Sequence, residues 1–315
     1  KISSRCIMDL QVVMEQILIF FTIMAMGFIG KKSKIIDENT EKSLSNVLLN
    51  ISLPALMLSS INVDYDSETM PNMLQIFIIT FLLYIAVIIF ASITAKLFKF
   101  KWPLSGTYKN LLVFANVGFM GFPIVNAIFG PIGILYATVA NLIFNIFLWT
   151  YGILTIKRES STDFKQLLNI GTIVSALTIF LFLVKIRMPL VLFKALDIVG
   201  DMTTPISMIL LGSFIGDITS PRLLLDWRIM IISFFKLLLI PVTLSIILKW
   251  FEINHIVTSL CVILSATPSA ATNAIFAKKF DAEPVFTSIA VFFTTLLSLI
   301  TLPIVISILN NFILI

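Results

Sequence analysis

The chain has 315 residues, of which 58% are hydrophobic and only 12% are charged, and its mean hydropathy is +1.05. A charged fraction about half that of soluble domains excludes a soluble globular protein, a nucleic-acid-binding protein and a disordered chain. The net charge of +5 is small and lies in alternate loops, so it reports membrane topology and not an anionic partner.

Apolar runs of membrane-spanning length divide the chain into ten predicted helices. A transmembrane helix needs about 20 mostly apolar residues, so ten of them would use about 200 residues. The first run is too long for a signal-peptide core and lacks a small-residue cleavage pattern, so we interpret it as a retained span that follows a start at Met8. The predicted spans are 10–30, 42–61, 71–98, 106–129, 133–156, 167–185, 190–216, 224–250, 256–280 and 283–311.

The short links between the spans alternate in charge, and this alternation predicts the orientation of the chain. Fifteen of the 22 Lys and Arg residues lie in or beside the odd-numbered links, whereas the second link holds Asp64, Asp66 and Glu68 and no basic residue. Cytoplasmic loops of membrane proteins are enriched in Lys and Arg. The odd-numbered links are therefore predicted to be cytoplasmic. The protein is predicted to lie in the cell membrane, with both termini outside the cytoplasm.

The polar run from Lys157 to Asp163 divides the ten spans into five and five. An odd number of spans in each half inserts the two halves in opposite directions, which is the inverted repeat common among secondary transporters. We predict a first repeat over residues 8–157, a cytoplasmic linker over 158–166 and a second, inverted repeat over 167–315. The predicted fold class is an all-α polytopic membrane protein with ten transmembrane helices in a 5+5 inverted repeat.

Helix-breaking residues occur at matching places in the two halves. The second span of each half holds a central proline, Pro54 or Pro205, and the fourth span of each half contains Pro123 or Pro268. The sequence Asn-Ala-Ile-Phe follows the proline in both fourth spans. Proline removes a backbone donor and clashes with the preceding turn, so we expect broken crossover helices in spans 4 and 9.

Two broken helices that cross near the middle of the membrane would form a cradle for an anion. Half-helix N-termini carry partial positive charge and free N–H groups, and nearby asparagine amides add neutral donors and acceptors. For each residue taken singly, a kink or an interhelical hydrogen bond is the competing interpretation. The predicted substrate-binding residues are Asn50, Ser52, Asn116, Gly118, Pro123, Asn126, Pro268, Ser269, Thr272 and Asn273.

Two ionisable residues inside apolar spans are candidates for ion coupling. An unpaired charge in a membrane costs at least about 2.5–3.5 kcal/mol, so each is a functional hypothesis. Asp201 would bind a proton or cation or repel an anion, unless it lies at a helix end near the outer interface. Lys236 would attract the anion or neutralise Asp201, unless it snorkels or forms a structural pair. Asn141 and Asn145 lie one turn apart and are interpreted equally as packing or cavity-lining residues.

Residue types that enzymes and metal proteins need are scarce in the chain. Its two cysteines, Cys6 and Cys261, and its one histidine, His255, have no metal-ligand spacing and exclude a disulfide framework. No GxSxG, HExxH or P-loop pattern is present. We therefore expect no metal, no cofactor and no enzymatic activity. An intramembrane enzyme and a channel or transporter-derived sensor are the alternatives to a carrier.

Several motifs resemble those of the auxin efflux carrier family, which includes bacterial malate and malonate permeases and plant auxin carriers. The resemblance covers nearly the whole chain and implies a homodimer, with an elevator-like transport domain that moves against a static scaffold. It also implies substrates that are mostly organic anions bearing carboxylates, and a contact between Asn116 and the substrate carboxylate. Asn273 stands where the plant carriers have proline. The motifs are Asn116-x-Gly118-x-x-Gly121-Phe122-Pro123, Ala266-Thr267-Pro268-Ser269, Thr294-Thr295-Leu296-Leu297-Ser298 and Leu53-Pro54-Ala55-Leu56.

The predicted function is a secondary transporter that moves a small organic anion, a carboxylate such as malate, across the cell membrane. No arginine lies at the centre of a span, so a two-arginine clamp for a dicarboxylate is not visible. A carrier of an auxin-like aromatic or other amphipathic monocarboxylate is therefore the alternative within this class. The sequence does not separate proton symport, sodium symport and uniport.

Overall fold

The computed structural model describes residues 10–64, 66–157, 168–216 and 226–312, which are helical almost throughout. The predicted start at Met8 and the predicted linker over 158–166 lie outside the described residues. The α-helices are α1 Leu10–Lys32, α2 Glu38–Val47, α3 Leu53–Ser59, α4 Thr69–Leu97, α5 Leu104–Val113, α6 Phe122–Phe147, α7 Ile153–Ile156, α8 Ile170–Leu183, α9 Leu190–Asp201, α10 Thr203–Gly216, α11 Trp227–Phe234, α12 Ile240–Trp250, α13 His255–Ala266, α14 Ala271–Lys279 and α15 Pro284–Phe312.

Six helical segments in the described part of the chain are long and apolar enough to cross a membrane. The apolar helices α8 and α13 are shorter, at 14 and 12 residues. An all-helical protein with several membrane-length segments is thus confirmed, and the count of ten spans stays a prediction. The six segments are Glu38–Asn62, Thr69–Leu97, Val117–Ile156, Leu190–Gly216, Trp227–Trp250 and Pro284–Asn311.

Three prolines each lie two residues after the end of a widened, π-helical turn. The proline ring clashes with the carbonyl group four residues earlier, and a wider turn relieves this clash without ending the helix. Long helical segments therefore continue through positions at which the sequence favours a break. These turns are Leu48–Ser52 before Pro54, Val117–Gly121 before Pro123 and Phe235–Leu239 before Pro241.

The second predicted spans of the two halves meet at matching positions. Ser52 lies two residues before Pro54, and Thr203 lies two residues before Pro205. The hydroxyl groups of Ser52 and Thr203 form a hydrogen bond of 2.6 Å, and both side chains are fully buried. The bond joins the two proline-containing helices where each is irregular.

Helices α1 and α10 cross with their backbones nearly in contact. A Cβ atom added to Gly212 would overlap the carbonyl oxygen of Met24, and one added to Gly27 would overlap the carbonyl oxygen of Ile209. Because apolar side chains gain little from association within lipid, membrane helices rely on such close packing of small residues. The two glycines therefore allow α1 and α10 to pack closely as one unit.

A buried ion pair holds α2 against that unit. Glu41 is 7% exposed, and its carboxylate accepts a hydrogen bond of 2.9 Å from the Lys31 ammonium group. The Ser213 hydroxyl group on α10 donates a second bond to the same carboxylate. A buried charge needs such partners, and here they come from α1 and α10.

The boundary predicted between the fourth and fifth spans falls at a bend within α6. Gly130 has φ = 62° and ψ = −151°, a backbone conformation that glycine adopts and other residues largely avoid, and Pro131 follows it. The residues on either side of this bend are helical. The predicted boundary, residues 130–132, therefore contains this bend.

Candidate transport site

Two interrupted helices meet at the centre of the candidate site, at residues 114–116 and 267–270, which we call the crossing. Helix α5 ends at Val113 and α13 ends at Ala266, and the next residue in each case has extended backbone. The Asn116 N–H group donates to the Pro268 carbonyl group at 2.8 Å, and the Ala270 N–H group donates to the Phe114 carbonyl group at 2.9 Å. The two segments thus form an antiparallel bridge and satisfy each other's backbone groups.

Side chains from the second half of the chain form hydrogen bonds with the end of α5, next to the crossing. The Ser269 hydroxyl group donates to the Leu111 carbonyl group at 2.7 Å, and Asn273 Nδ2 donates to the Asn110 carbonyl group at 3.3 Å. Both side chains are fully buried. Ser269 and Asn273, together with Pro268, therefore support the crossing, and none of the three lines the cavity described next.

A cavity of about 190 Å³ lies in front of the crossing, and we call it the amide cavity because its polar lining is mostly asparagine. No Asp, Glu, Lys or Arg side chain from the described residues lines it. Its apolar walls include Leu53, Phe144 and Trp149. The polar side chains of the lining are Asn50, Asn116, Asn141, Asn145, Asn169 and Thr272.

Two helical segments begin beside the amide cavity. Asn116 caps the turn that leads into α6, and its Oδ1 accepts a hydrogen bond of 3.3 Å from the Phe119 N–H group. Helix α14 begins at Ala271, which also lines the cavity. Helix N-termini carry partial positive charge and bind anions through backbone N–H groups. The cavity is therefore electrostatically suited to an anion, although none of the described residues that line it is cationic.

Two polar atoms at this place have no hydrogen-bond partner among the described residues. They are Asn116 Nδ2 and Thr272 Oγ1, both buried. Buried polar groups in folded proteins are almost always paired, so an unpaired one marks a place where a ligand or water belongs. Asn116 is 2% exposed, and its free amide donor lies beside both helix N-termini.

The other asparagine amides of the cavity already donate to protein groups. Asn50 Nδ2 donates to the Asn46 carbonyl group at 3.0 Å, and Asn145 Nδ2 donates to the Asn141 carbonyl group at 2.9 Å. Asn141 Nδ2 donates to the Ser175 hydroxyl group at 3.0 Å. Asn141 and Asn145 therefore pack between helices and line the cavity at the same time.

The remaining predicted residues lie away from this cavity. Pro123 is the second residue of α6, and Asn126 lies one turn further along the same helix, half-buried. Asp201 is the exposed last residue of α9. Lys236 is buried, and its ammonium group donates to the Leu112 carbonyl group and not to Asp201. Gly118 lines the cavity, and its predicted contact with substrate stays a prediction.

Sequence reasoning missed Asn169 as a member of the site. Asn169 caps α8, and its Oδ1 accepts a hydrogen bond of 3.0 Å from the Thr172 N–H group. An asparagine immediately before an apolar run is a helix-start signal, and that signal is present in the sequence. Its position beside the crossing depends on the packing of α8 against α6, which the sequence does not show.

Comparisons with known proteins identify the kind of chain that carries this site. A family described as "Membrane transport protein" matches residues 12–175 and 159–306. Uncharacterized transporter MJ1031 of Methanocaldococcus jannaschii is 24% identical over 301 residues, which are 92% of this chain and 96% of that protein. Uncharacterized transporter YfdV of Escherichia coli strain K12 is 22% identical over 285 residues, 82% of this chain and 85% of that protein.

Proposed function

Because this chain belongs to the auxin efflux carrier family of membrane transport proteins, we propose that it is a secondary transporter for a small organic anion. The substrate carries a carboxylate, such as that of malate, and crosses the cell membrane by way of the amide cavity. The observation that supports this most is Asn116 Nδ2, which is buried beside two helical N-termini and has no partner among the described residues, in a cavity where those residues contribute no cationic side chain.

The carboxylate binds at the crossing end of the cavity in this proposal. Asn116 Nδ2 donates one hydrogen bond to it, the N–H groups at the starts of the two helices supply further donors, and Thr272 adds a hydroxyl group. Hydrogen bonds to a charged partner contribute about 1.5–3 kcal/mol each, so a few of them suffice for a small ligand.

Helix lengths support a crossing near the middle of the membrane. At 1.5 Å per residue, the 12-residue α13 is about 18 Å long, well short of a hydrocarbon core of about 30 Å. Helix α14, with nine residues, continues beyond the crossing. In the proposed ten-span, 5+5 arrangement, each of spans 4 and 9 consists of two half-helices joined at the crossing.

The proposed movement is of the elevator type. The scaffold contains α1 and α10, which the glycine contacts hold together, and the crossing travels with its cavity past that scaffold. In this proposal the molecule is a homodimer with both termini outside the cytoplasm. These features rest on the family resemblance and on the distribution of Lys and Arg in the links.

One observation favours a monocarboxylate with an apolar body as the second candidate substrate. The cavity has one set of anion donors, at the crossing, and Phe144 and Trp149 among its apolar walls. A second carboxylate would meet no cationic side chain among the described residues that line it. An aromatic or branched monocarboxylate would place its apolar part against those walls.

The test is uptake by purified protein in proteoliposomes. Labelled malate and a labelled aromatic monocarboxylate are compared, each with and without an imposed pH gradient. We expect uptake of one of them, and Asn116→Ala should lower it about ten-fold or more because the variant loses a hydrogen bond to a charged group. The response to the pH gradient distinguishes proton coupling from uniport.

The matched control is Asn126→Ala, ten residues further along the same segment. Asn126 does not line the amide cavity, so this variant should keep most of the uptake and should reach the membrane in the same amount. Equal uptake by Asn116→Ala and the unaltered protein would remove Asn116 from the site. No uptake of any carboxylate would overturn the proposed substrate class.

A further inference from the structure

Lys236 is the feature that the proposed substrate site leaves unexplained. It lies in the π-helical turn Phe235–Leu239, just before α12, and is 2% exposed. Its ammonium group donates a hydrogen bond of 3.1 Å to the Leu112 carbonyl group, in the last turn of α5. A charge buried inside a membrane protein is costly and is retained where it serves a purpose.

Three successive carbonyl groups at the end of α5 accept hydrogen bonds from side chains of the second half. The Asn110 carbonyl group receives Asn273 Nδ2, the Leu111 carbonyl group receives the Ser269 hydroxyl group, and the Leu112 carbonyl group receives the Lys236 ammonium group. The C-terminal end of a helix carries partial negative charge. In transporters with interrupted helices, such carbonyl ends coordinate the coupling cation.

The surroundings of Lys236 supply neutral polar groups and room for water. A cavity of about 40 Å³ beside it is large enough for water, which needs about 10–15 Å³. No carboxylate of the described residues lines this cavity, and Tyr84 and Cys261 are the other titratable groups that face it. Thr80 and Ser265 also line it. The α5 carbonyl end is therefore the partner of the Lys236 ammonium group.

We propose that the Lys236 ammonium group is a built-in cation at the C-terminal end of α5, which takes the place of a bound sodium ion at the crossing. Lys236 is then a positioning residue that stabilises the negative end of the interrupted helix without touching the substrate. It follows that transport needs no sodium ion. This inference rests on the proposed function for its transport readout, and a second readout below is independent of any substrate.

The first test measures uptake in sodium and in N-methylglucamine buffers of equal ionic strength. The unaltered protein should take up substrate at rates that agree within about two-fold in the two buffers. Lys236→Met keeps the length of the side chain but removes its charge, and should lower uptake about ten-fold or more. Lys236→Arg keeps the charge and should retain more uptake than Lys236→Met, the reverse of what packing alone predicts.

The matched control is Lys249→Met, the same substitution at an exposed lysine of α12. It should leave uptake unchanged in both buffers. Sodium-dependent uptake by the unaltered protein, full uptake by Lys236→Met, or better uptake by Lys236→Met than by Lys236→Arg would each overturn the proposal.

The second readout is the melting temperature of the detergent-solubilised protein, which needs no substrate. Sodium should not raise the melting temperature of the unaltered protein above its value in N-methylglucamine. Lys236→Met should melt lower than Lys249→Met, and Lys236→Arg should melt nearer to the unaltered protein. If Lys236→Met does not fold, the role of Lys236 is judged by comparing the melting temperature of Lys236→Arg with that of Lys249→Met.

The two readouts separate failure of this inference from failure of the proposed function. A specific stabilisation of the unaltered protein by sodium overturns the built-in cation whatever the substrate is. Absence of any carboxylate uptake overturns the proposed function and leaves the melting experiments to decide the role of Lys236.

Discussion

At the scale of single residues, the candidate site depends on one free amide donor among several that are engaged. Asn50, Asn141 and Asn145 donate their amide hydrogens to protein groups, whereas Asn116 Nδ2 has no partner among the described residues. The engaged amides position the cavity walls, and their hydrogen bonds offset the free-energy cost of burying a polar group. Asn116 is therefore the asparagine of the cavity whose amide is free to bind the proposed carboxylate.

Gly118 provides a test of the cavity that leaves the hydrogen bonds intact. An added Cβ would lie 3.9 Å from Leu53 Cδ2, an ordinary contact, so Gly118→Ala should fold and transport nearly as the unaltered protein does. Gly118→Leu should fill part of the cavity of about 190 Å³ and reduce uptake strongly, with similar amounts of folded protein. Uptake and size-exclusion profiles check this, and undiminished uptake by Gly118→Leu would place the substrate elsewhere.

At the scale of helices, prolines lie within helical segments that continue past them, whereas glycines permit close contact between helices. Prolines that follow a π-helical turn are absorbed within continuing helical segments, as at Pro54 and Pro241. Glycines permit backbone contact between α1 and α10, as at Gly27 and Gly212. Proline alone therefore does not end these helices. The crossing forms where extended backbone finds a second extended segment to pair with.

Gly212→Ala tests the contact between α1 and α10. The added methyl group would overlap the Met24 carbonyl oxygen, a backbone atom that moves only if a helix moves. Overpacking of this kind costs about 1–3 kcal/mol, so the variant should melt several degrees lower than the unaltered protein. Gly118→Ala is the control, and an equal melting temperature for both variants would show that α1 and α10 separate easily.

At the scale of the whole molecule, hydrophobic length and the distribution of basic residues predict different properties of the chain. The length and apolar character of each run predict helices, and the described residues confirm an all-helical membrane transport protein. The distribution of Lys and Arg predicts orientation, which stays a prediction. Helix bounds agree with the predicted spans to within a few residues where they are described, as for α4 (71–98 predicted, Thr69–Leu97 observed) and α15 (283–311 predicted, Pro284–Phe312 observed).

Epitope tags test the predicted orientation and the number of spans together. With ten spans and cytoplasmic odd-numbered links, tags at both ends should be accessible from outside an intact cell. A tag in the third link, near Lys99, should be protected until the membrane is opened. Antibody binding before and after permeabilisation measures this. Protection of either terminal tag would contradict the ten-span arrangement.

The sequence by itself determined the helices and the irregular backbone near Pro54 and Pro123, and it named four residues that line the amide cavity, Asn50, Asn116, Gly118 and Thr272, whose role in binding stays a prediction. These follow from hydrophobic length and from local backbone chemistry, which neighbouring residues decide. Only the tertiary structure decided that Asn169 joins the cavity and that Ser269 and Asn273 bond to the end of α5. It also decided that Lys236 bonds to α5 and not to Asp201. Those contacts join residues far apart in the chain, so they depend on how the helices pack against one another, which no local pattern encodes.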